Sequence, residues 1–153
     1  MKKYELTDET IEVYGTALHR IKALKDFGNV KKGELGGYVE SEYNLSQEGN
    51  CLVYGNAKVY SNAKVYGNAL VYGNAKVCGN ADYITIKGLG SVCRNTTIFR
   101  TKGKNIAVKC GCFYGTLAEF VDKVKETHGN SKFAKEYLAL IDLVKIHFEL
   151  EDK

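Results

Sequence analysis

The sequence lacks any long run of hydrophobic residues. No part of the 153-residue chain approaches the roughly 18 to 20 consecutive apolar residues that a membrane span requires. The first ten residues, Met-Lys-Lys-Tyr-Glu-Leu-Thr-Asp-Glu-Thr, contain no apolar core of the kind that export signals carry. We therefore expect a cytoplasmic protein that does not enter a membrane.

Several motifs of ligand and DNA recognition are also absent. The chain has no glycine-rich phosphate loop of the Walker or dinucleotide type, and no helix-turn-helix or zinc-finger signature. Sequence-specific DNA binding is therefore not expected. The cysteines are odd in number and irregularly spaced, which favours reduced thiols over a disulfide framework: Cys51, Cys78, Cys93, Cys110 and Cys112.

The pair Cys110-Gly-Cys112 would place two thiols on one face of a strand. A structural zinc site needs four ligands, typically as two closely spaced pairs, and no second pair is evident. We interpret the pair as small side chains beside a glycine and expect no metal and no cofactor.

The most regular feature of the chain is a six-residue unit that occurs five times between residues 53 and 82. Its copies read VYGNAK, VYSNAK, VYGNAL, VYGNAK and VCGNAD. Strand alternation sends valine and alanine inward and sends lysine and tyrosine outward, while Gly-Asn turns the chain. Such a period is typical of solenoids, whose units bury their apolar faces by stacking. Three units make 18 residues, so Tyr54 and Tyr72 should stack about 4.8 Å apart.

The repeat resembles the hexapeptide-repeat, left-handed β-helix family. The aliphatic first position of the family's unit is filled by Val53, Val59, Val65, Val71 and Val77, and the small fifth position by Ala57, Ala63, Ala69, Ala75 and Ala81. The resemblance implies a mainly β protein with a left-handed parallel β-helix over residues 35–88. Residues 1–34 would form an N-terminal strand cap, and residues 89–153 a C-terminal α/β cap.

Two helices are predicted to end the C-terminal cap. Thr116-Leu-Ala-Glu119 is a capping-box pattern that begins the first helix, and Ser131 caps the second. The second helix is apolar over a wide arc, so it needs cover on more than one side. Because hexapeptide-repeat proteins are often trimers, we expect a homotrimer that this helix helps to form. The alternative is a helix packed only within its own chain.

A closer resemblance is to phage and prophage proteins that carry runs of the same Val-Tyr-Gly-Asn-Ala-x unit. It extends to the entry segment at residues 20–37, to Asn44-Leu45-Ser46, and to the exit segment from Ile84 through Phe113 and the terminal helices, and so covers most of the chain. The resemblance implies a phage origin and a bacterial host cell, but no settled activity.

The familiar enzyme on a hexapeptide scaffold is an acyltransferase that uses coenzyme A and generally needs a histidine base. No histidine lies within residues 35–88, and His19, His128 and His147 all lie in the flanking segments. We therefore predict a non-enzymatic protein with no catalytic residues. Acyl transfer stays an alternative, with His19 or His128 folded over a cleft between subunits.

The outward-facing residues suggest a binding surface instead. Tyrosine rings beside cations suit planar, anionic ligands, and arginine presents a bidentate fork to phosphate. A basic block without acidic residues runs from Lys87 to Lys109. The predicted ligand-binding residues are Tyr54, Tyr60, Tyr66, Tyr72, Lys58, Lys76, Arg94, Arg100, Lys102 and Lys104.

The functional hypothesis is that the protein sequesters a small anionic ligand, specifically a nucleotide signal of bacterial anti-phage defence. Two alternatives remain beside it: the acyltransferase, and a structural or host-protein-inhibiting scaffold whose tyrosine-rich faces dock a protein. At each tyrosine, moreover, a ladder that only stabilises the fold competes with ligand binding. Lysines on exposed strands likewise serve to discourage aggregation.

Overall fold

The computed structural model describes residues 2–91, 94–102 and 105–150. Two short 3-10 helices, Glu42–Asn44 and Asn80–Asp82, flank the repeats. The strands are β1 (Tyr4–Val13), β2 (Thr16–Ala23), β3 (Leu35–Val39), β4 (Leu52–Val53), β5 (Lys58–Val59), β6 (Leu70–Val71), β7 (Lys76–Val77), β8 (Tyr83–Leu89), β9 (Arg94–Arg100), β10 (Ile106–Cys110) and β11 (Phe113–Thr116). The α-helices are α1 (Leu117–His128) and α2 (Lys132–His147).

The strands form three sheets. The first is mixed, with the order β1-β2-β3-β5-β7; its first three strands are antiparallel and its last three are parallel. The second is antiparallel throughout, with the order β11-β10-β9-β8. The third consists of β4 and β6 alone, paired in parallel.

The predicted left-handed parallel β-helix is wrong, because the described residues form mixed and antiparallel sheets. The repeat units contribute strands of only two residues, since a Gly-Asn or Ser-Asn corner interrupts the chain in every unit. The longer strands come from the two flanking segments, where tight turns such as Tyr14-Gly15 reverse the chain and pair its strands antiparallel. The antiparallel pairing in the two larger sheets therefore comes from strands of the flanking segments.

The local geometry of the repeat agrees with its sequence. Lys58 pairs with Lys76 and Leu52 with Leu70, so strands 18 residues apart lie side by side. All five first-position valines are fully buried, as are four of the fifth-position alanines: Val53, Val59, Val65, Val71, Val77, Ala57, Ala63, Ala69 and Ala75. The inward direction of these side chains, predicted from strand alternation, is confirmed.

The C-terminal sheet and the two helices enclose a second core. Phe120 and Val124 of α1 and Ile141 and Val144 of α2 pack with Val108 of β10. These are the apolar stripes of the two helices, and their burial confirms that both helices pack against the sheet.

Both predicted helix starts are confirmed. The Thr116 hydroxyl accepts a hydrogen bond from the Glu119 amide at 3.1 Å, and the Glu119 carboxylate accepts one from the Thr116 amide at 2.9 Å. The bond from the Thr116 amide holds the pKa of Glu119 below its usual value. In α2, the Ser131 hydroxyl accepts a hydrogen bond from the Ala134 amide.

Helix α2 keeps part of its apolar surface exposed. Leu143 and Ile146 are 52% and 76% exposed, while the stripe toward the sheet is covered. Self-association through this helix stays a prediction. Among the described residues, no helix has the length and apolarity that crossing a membrane would require.

A buried lysine closes the N-terminal end of the repeat core. Lys3 is fully buried, and its ammonium donates hydrogen bonds to the carbonyl of Cys51 at 2.9 Å and to that of Gly49 at 3.3 Å. The same ammonium lies 4.7 Å from the ring centroid of Phe27. Burial lowers the pKa of Lys3 because it disfavours the charged form. The side chain supplies a donor to the Cys51 carbonyl, which is buried away from water.

We expect the substitution Lys3→Met to lower the free energy of unfolding by about 1 to 3 kcal/mol, because it leaves the buried carbonyl of Cys51 without its lysine donor. Urea unfolding followed by circular dichroism measures the effect. Lys2→Met is the matched control, since Lys2 forms only an exposed ion pair with Glu42. Equal stability of the two variants would contradict the role given to Lys3.

Candidate ligand-binding cleft

The tyrosines of the repeat do not share one surface. Tyr54 and Tyr72 stack, with ring centroids 5.3 Å apart and planes inclined by 16°, as predicted from their 18-residue separation. Tyr60 is 8% exposed and packs against Leu18, beneath the β1–β2 hairpin, whereas Tyr66 is 59% exposed. Each Gly-Asn corner turns the chain, so only tyrosines three units apart face the same way.

Tyr54 and Tyr72 line a cleft that encloses about 380 Å³. Leu52 and Leu70, which pair directly across β4 and β6, contribute apolar side chains to it. On the N-terminal side the cleft is bounded by residues 27–30 and Glu34; Leu52 packs against the cluster formed by Ala23, Phe27 and Val30. On the C-terminal side it is bounded by Lys87, Asn95 and Lys109.

The sequence carries a signal for this cleft that the prediction missed. The last position of the repeat unit is lysine at residues 58, 64 and 76 but leucine at residue 70. Eighteen residues earlier, Leu52 occupies the corresponding position. One outward face of the repeat segment is therefore apolar where its neighbours are charged.

An aromatic ladder continues from the stacked pair into the C-terminal sheet. Tyr114 is tilted against Tyr72, with centroids 5.6 Å apart, and stacks on Phe99 at 6.3 Å. The Tyr114 hydroxyl accepts a hydrogen bond from the amide of Asn74 at 3.3 Å. Gly73 has a φ of 61°, and a Cβ there would lie 2.0 Å from the Tyr114 hydroxyl, so this approach requires glycine.

Opposite charges stand on the two sides of the cleft. On the C-terminal side, the Lys109 ammonium lies 5.0 Å from the centroid of Tyr72 and donates a hydrogen bond to the carbonyl of Gly111. On the N-terminal side, the Tyr54 hydroxyl donates to the Glu34 carboxylate at 3.4 Å. The pKa of Tyr54 is raised, first by burial and then by the Glu34 charge. The cleft can hold a molecule with a planar part and an anionic end.

Two of the predicted lysines are held elsewhere. The Lys58 ammonium donates to the carbonyl of Asn56 at 3.3 Å. The Lys76 ammonium donates to the Tyr14 hydroxyl at 2.9 Å and lies 4.4 Å from the centroid of that ring. Lys76 thus fastens the tip of the β1–β2 hairpin to the repeat segment.

The predicted residues of the basic block that the structure describes also lie outside the aromatic cleft. Arg100 donates to the Asp82 carboxylate at 3.0 Å, and Lys102 is exposed in the turn after β9. Lys104 lies outside the described residues. Arg94 lines a different cleft, beside the helices. Of the predicted residues with a described position, only Tyr54 and Tyr72 line this cleft together, and Lys87 and Lys109 from the same basic block join them.

None of the three histidines lines the aromatic cleft. His19 lies on β2 with its Nδ1 atom 3.1 Å from the carbonyl of Thr7, and the Nε2 atom of His147 is 2.8 Å from the carbonyl of Ala81. His128 stacks on Tyr137 at the end of α1. Within the described ranges, no group of three or more His, Cys, Asp or Glu side chains is placed to hold a metal ion.

Comparison with known proteins gives one partial similarity. No protein-family model matches the chain. Part of the chain is similar to the uncharacterized acetyltransferase YdcK of Escherichia coli (strain K12), with 39% identity over 62 residues. The match covers 35% of this chain and 19% of that relative, so the chain spans less than a fifth of the relative's length. The similarity gives weak support to a relationship with acetyltransferases.

Tyr72→Ala tests how far the aromatic ladder stabilises the fold. We expect it to lower the free energy of unfolding by about 2 kcal/mol, because it removes ring contacts to Tyr54 and Tyr114 and the contact with the Lys109 ammonium. The repeat provides a matched control in Tyr66→Ala, which truncates the same position of another unit at an exposed site. Chemical denaturation of both variants measures the difference, and equal losses would contradict a stabilising ladder.

Proposed function

We propose that the protein binds a small anionic ligand with a planar group, of the nucleotide class, in the aromatic cleft. The observation that carries the proposal is the juxtaposition of the Tyr54–Tyr72 stack with Lys87 and Lys109 in a cleft with an apolar contribution from Leu52 and Leu70. A planar group packs on the aromatic and leucine surface, and the two ammonium groups attract the anionic part.

The expected stacking energy and the volume of the cleft are both large enough for specific binding of a small molecule. Stacking of a base on an aromatic side chain contributes about 1 to 3 kcal/mol, and the cleft volume of about 380 Å³ is in the range usual for small-molecule sites. Lys87 is exposed and forms no hydrogen bond or ion pair within the described part of the chain, so it is available to a phosphate. Glu34, the one carboxylate among the described lining residues, is placed to accept hydrogen bonds from ligand hydroxyl groups.

We further propose that binding serves sequestration and not turnover. The absence of histidine from the cleft lining supports this, since histidine is the most common general base. The resemblance of the repeats to those of phage proteins supports a role in counter-defence, in which a nucleotide signal of the bacterial host is removed from solution.

The first test examines the ligand directly. The protein is purified from bacterial cells and denatured, and the supernatant is analysed for nucleotides by absorbance and mass; a panel of cyclic and linear nucleotides is then titrated calorimetrically. We expect Lys87→Gln and Lys109→Gln each to weaken binding by about tenfold, because each removes one charge-assisted contact.

Lys58→Gln serves as the control, since it removes a lysine of the repeat that lies outside the cleft. It should leave the affinity unchanged. A protein that releases no nucleotide on denaturation and binds none of the nucleotides in the panel would contradict the proposal. So would variants at Lys87 and Lys109 that bind as well as the parent.

Acyl transfer is the second candidate, and the similarity to the acetyltransferase YdcK is what favours it. Acetyl-coenzyme A itself contains an adenine nucleotide, so the same cleft suits it chemically. Release of free coenzyme A thiol from acetyl-coenzyme A, in the presence of amine acceptors, separates the two functions. Sequestration predicts binding with no thiol release above the uncatalysed rate. Release that is abolished by His19→Asn or His128→Asn, with the fold intact, would favour the transferase.

A further inference from the structure

A second cleft lies between the turn that joins β10 to β11 and the two helices. It encloses about 250 Å³. Arg94, Lys123 and His128 supply its basic groups, and Phe113 and Phe120 supply aromatic surface. No aspartate or glutamate is among its described lining residues. The cleft therefore combines an apolar surface with positive charge alone.

The Cys110-Gly111-Cys112 turn positions the arginine. Gly111 has a φ of 58°, and a Cβ there would lie 1.9 Å from Nη1 of Arg94. The guanidinium thus lies directly against the glycine backbone, in space that another residue would occupy. Within the described ranges, Arg94 forms no hydrogen bond or ion pair, although its charge acts on Tyr137. Its donors are consequently available to a ligand.

Packing fixes the histidine in the same cleft. The ring of His128 stacks on Tyr137 with centroids 5.8 Å apart and planes inclined by 25°, and it is tilted against Phe133 at 5.9 Å.

Lys123 lies more than one turn earlier on α1 and is loosely paired, with its ammonium 4.0 Å from Glu126. The neighbouring carboxylate of Glu136 accepts a hydrogen bond from the amide of Gly90.

We propose that this cleft is a second binding site, distinct from the aromatic cleft, for a small organic anion. The carboxylate or phosphate group of the ligand contacts the guanidinium of Arg94, with Lys123 adding positive charge and the His128 ring adding a nitrogen that can form a hydrogen bond. The body of the ligand packs on Phe113 and Phe120. At about 250 Å³ the cleft is below the usual range of drug-sized sites, which suits one ring and one anionic group better than a whole nucleotide.

Calorimetric titration with phenyl phosphate, benzoate and inorganic phosphate tests the site at constant ionic strength. We expect phenyl phosphate to bind at least threefold more tightly than inorganic phosphate, because only the former covers the aromatic surface. A comparison of phenyl phosphate with benzoate decides which anionic group the site prefers. Arg94→Gln should weaken phenyl phosphate binding by about tenfold, since a charged fork becomes a neutral amide.

Lys58→Gln, which removes a lysine that lines neither cleft, is the matched control and should leave phenyl phosphate binding within twofold of the parent protein. Lys123→Gln provides a second variant on a different element, in case Arg94→Gln disturbs the fold, and should weaken binding two- to fivefold.

The proposal is overturned if the parent protein binds neither organic anion at millimolar concentration. It is also overturned if the two variants of this cleft bind normally, or if Lys58→Gln abolishes binding. Since the nucleotide titrations depend on Lys87 and Lys109, the failure of one site is distinguishable from the failure of the other.

Discussion

Backbone hydrogen bonds between parallel strands whose paired residues are 18 positions apart hold the centre of this molecule together. The amides of Leu52, Tyr54 and Lys58 donate to the carbonyls of Ala69, Val71 and Ala75 at 2.9 to 3.0 Å. Fully buried valines and alanines lie inside these strands, so any change of register would expose them. The outward side chains are fixed by the same register, and the flanking segments pack against the surfaces that it creates.

The flanking segments cover the outward faces of the repeat segment to different extents. The β1–β2 hairpin covers the face that carries Tyr60, and Lys76 fastens its tip through Tyr14. The C-terminal sheet approaches the face that carries Leu70, where the Leu70 amide donates to the Thr97 hydroxyl at 3.0 Å. Tyr54 and Tyr72 then lie between the two flanking segments in a half-covered cleft, where each ring has packing partners and stays partly exposed.

The local features of the chain were predictable from its residues. Alternation and the Gly-Asn corners placed Val53 and Ala57 inward, and a capping box placed the start of α1 at Thr116. The extension of this reasoning to the whole fold failed, because the length and direction of β1, β2 and β8–β11 depend on turns outside the repeat. The site was predicted only in part: Tyr54 and Tyr72 were found by periodicity, whereas the meaning of Leu70 was missed although its departure from lysine is visible in the sequence.

The sequence by itself determined the register of the repeat, the burial of its valines and alanines, the stacking of Tyr54 on Tyr72 and the starts of both helices. The features of the repeat depend on contacts within a unit or between equivalent units, and each helix start depends on hydrogen bonds between residues three positions apart, so short stretches of sequence specify them. The tertiary structure decided which outward faces are covered, that Lys87 and Lys109 share a cleft with the stacked tyrosines, and that Arg94 and His128 line a second cleft. These groups meet only because antiparallel strands and helices from distant parts of the chain pack together, and no local period encodes that packing.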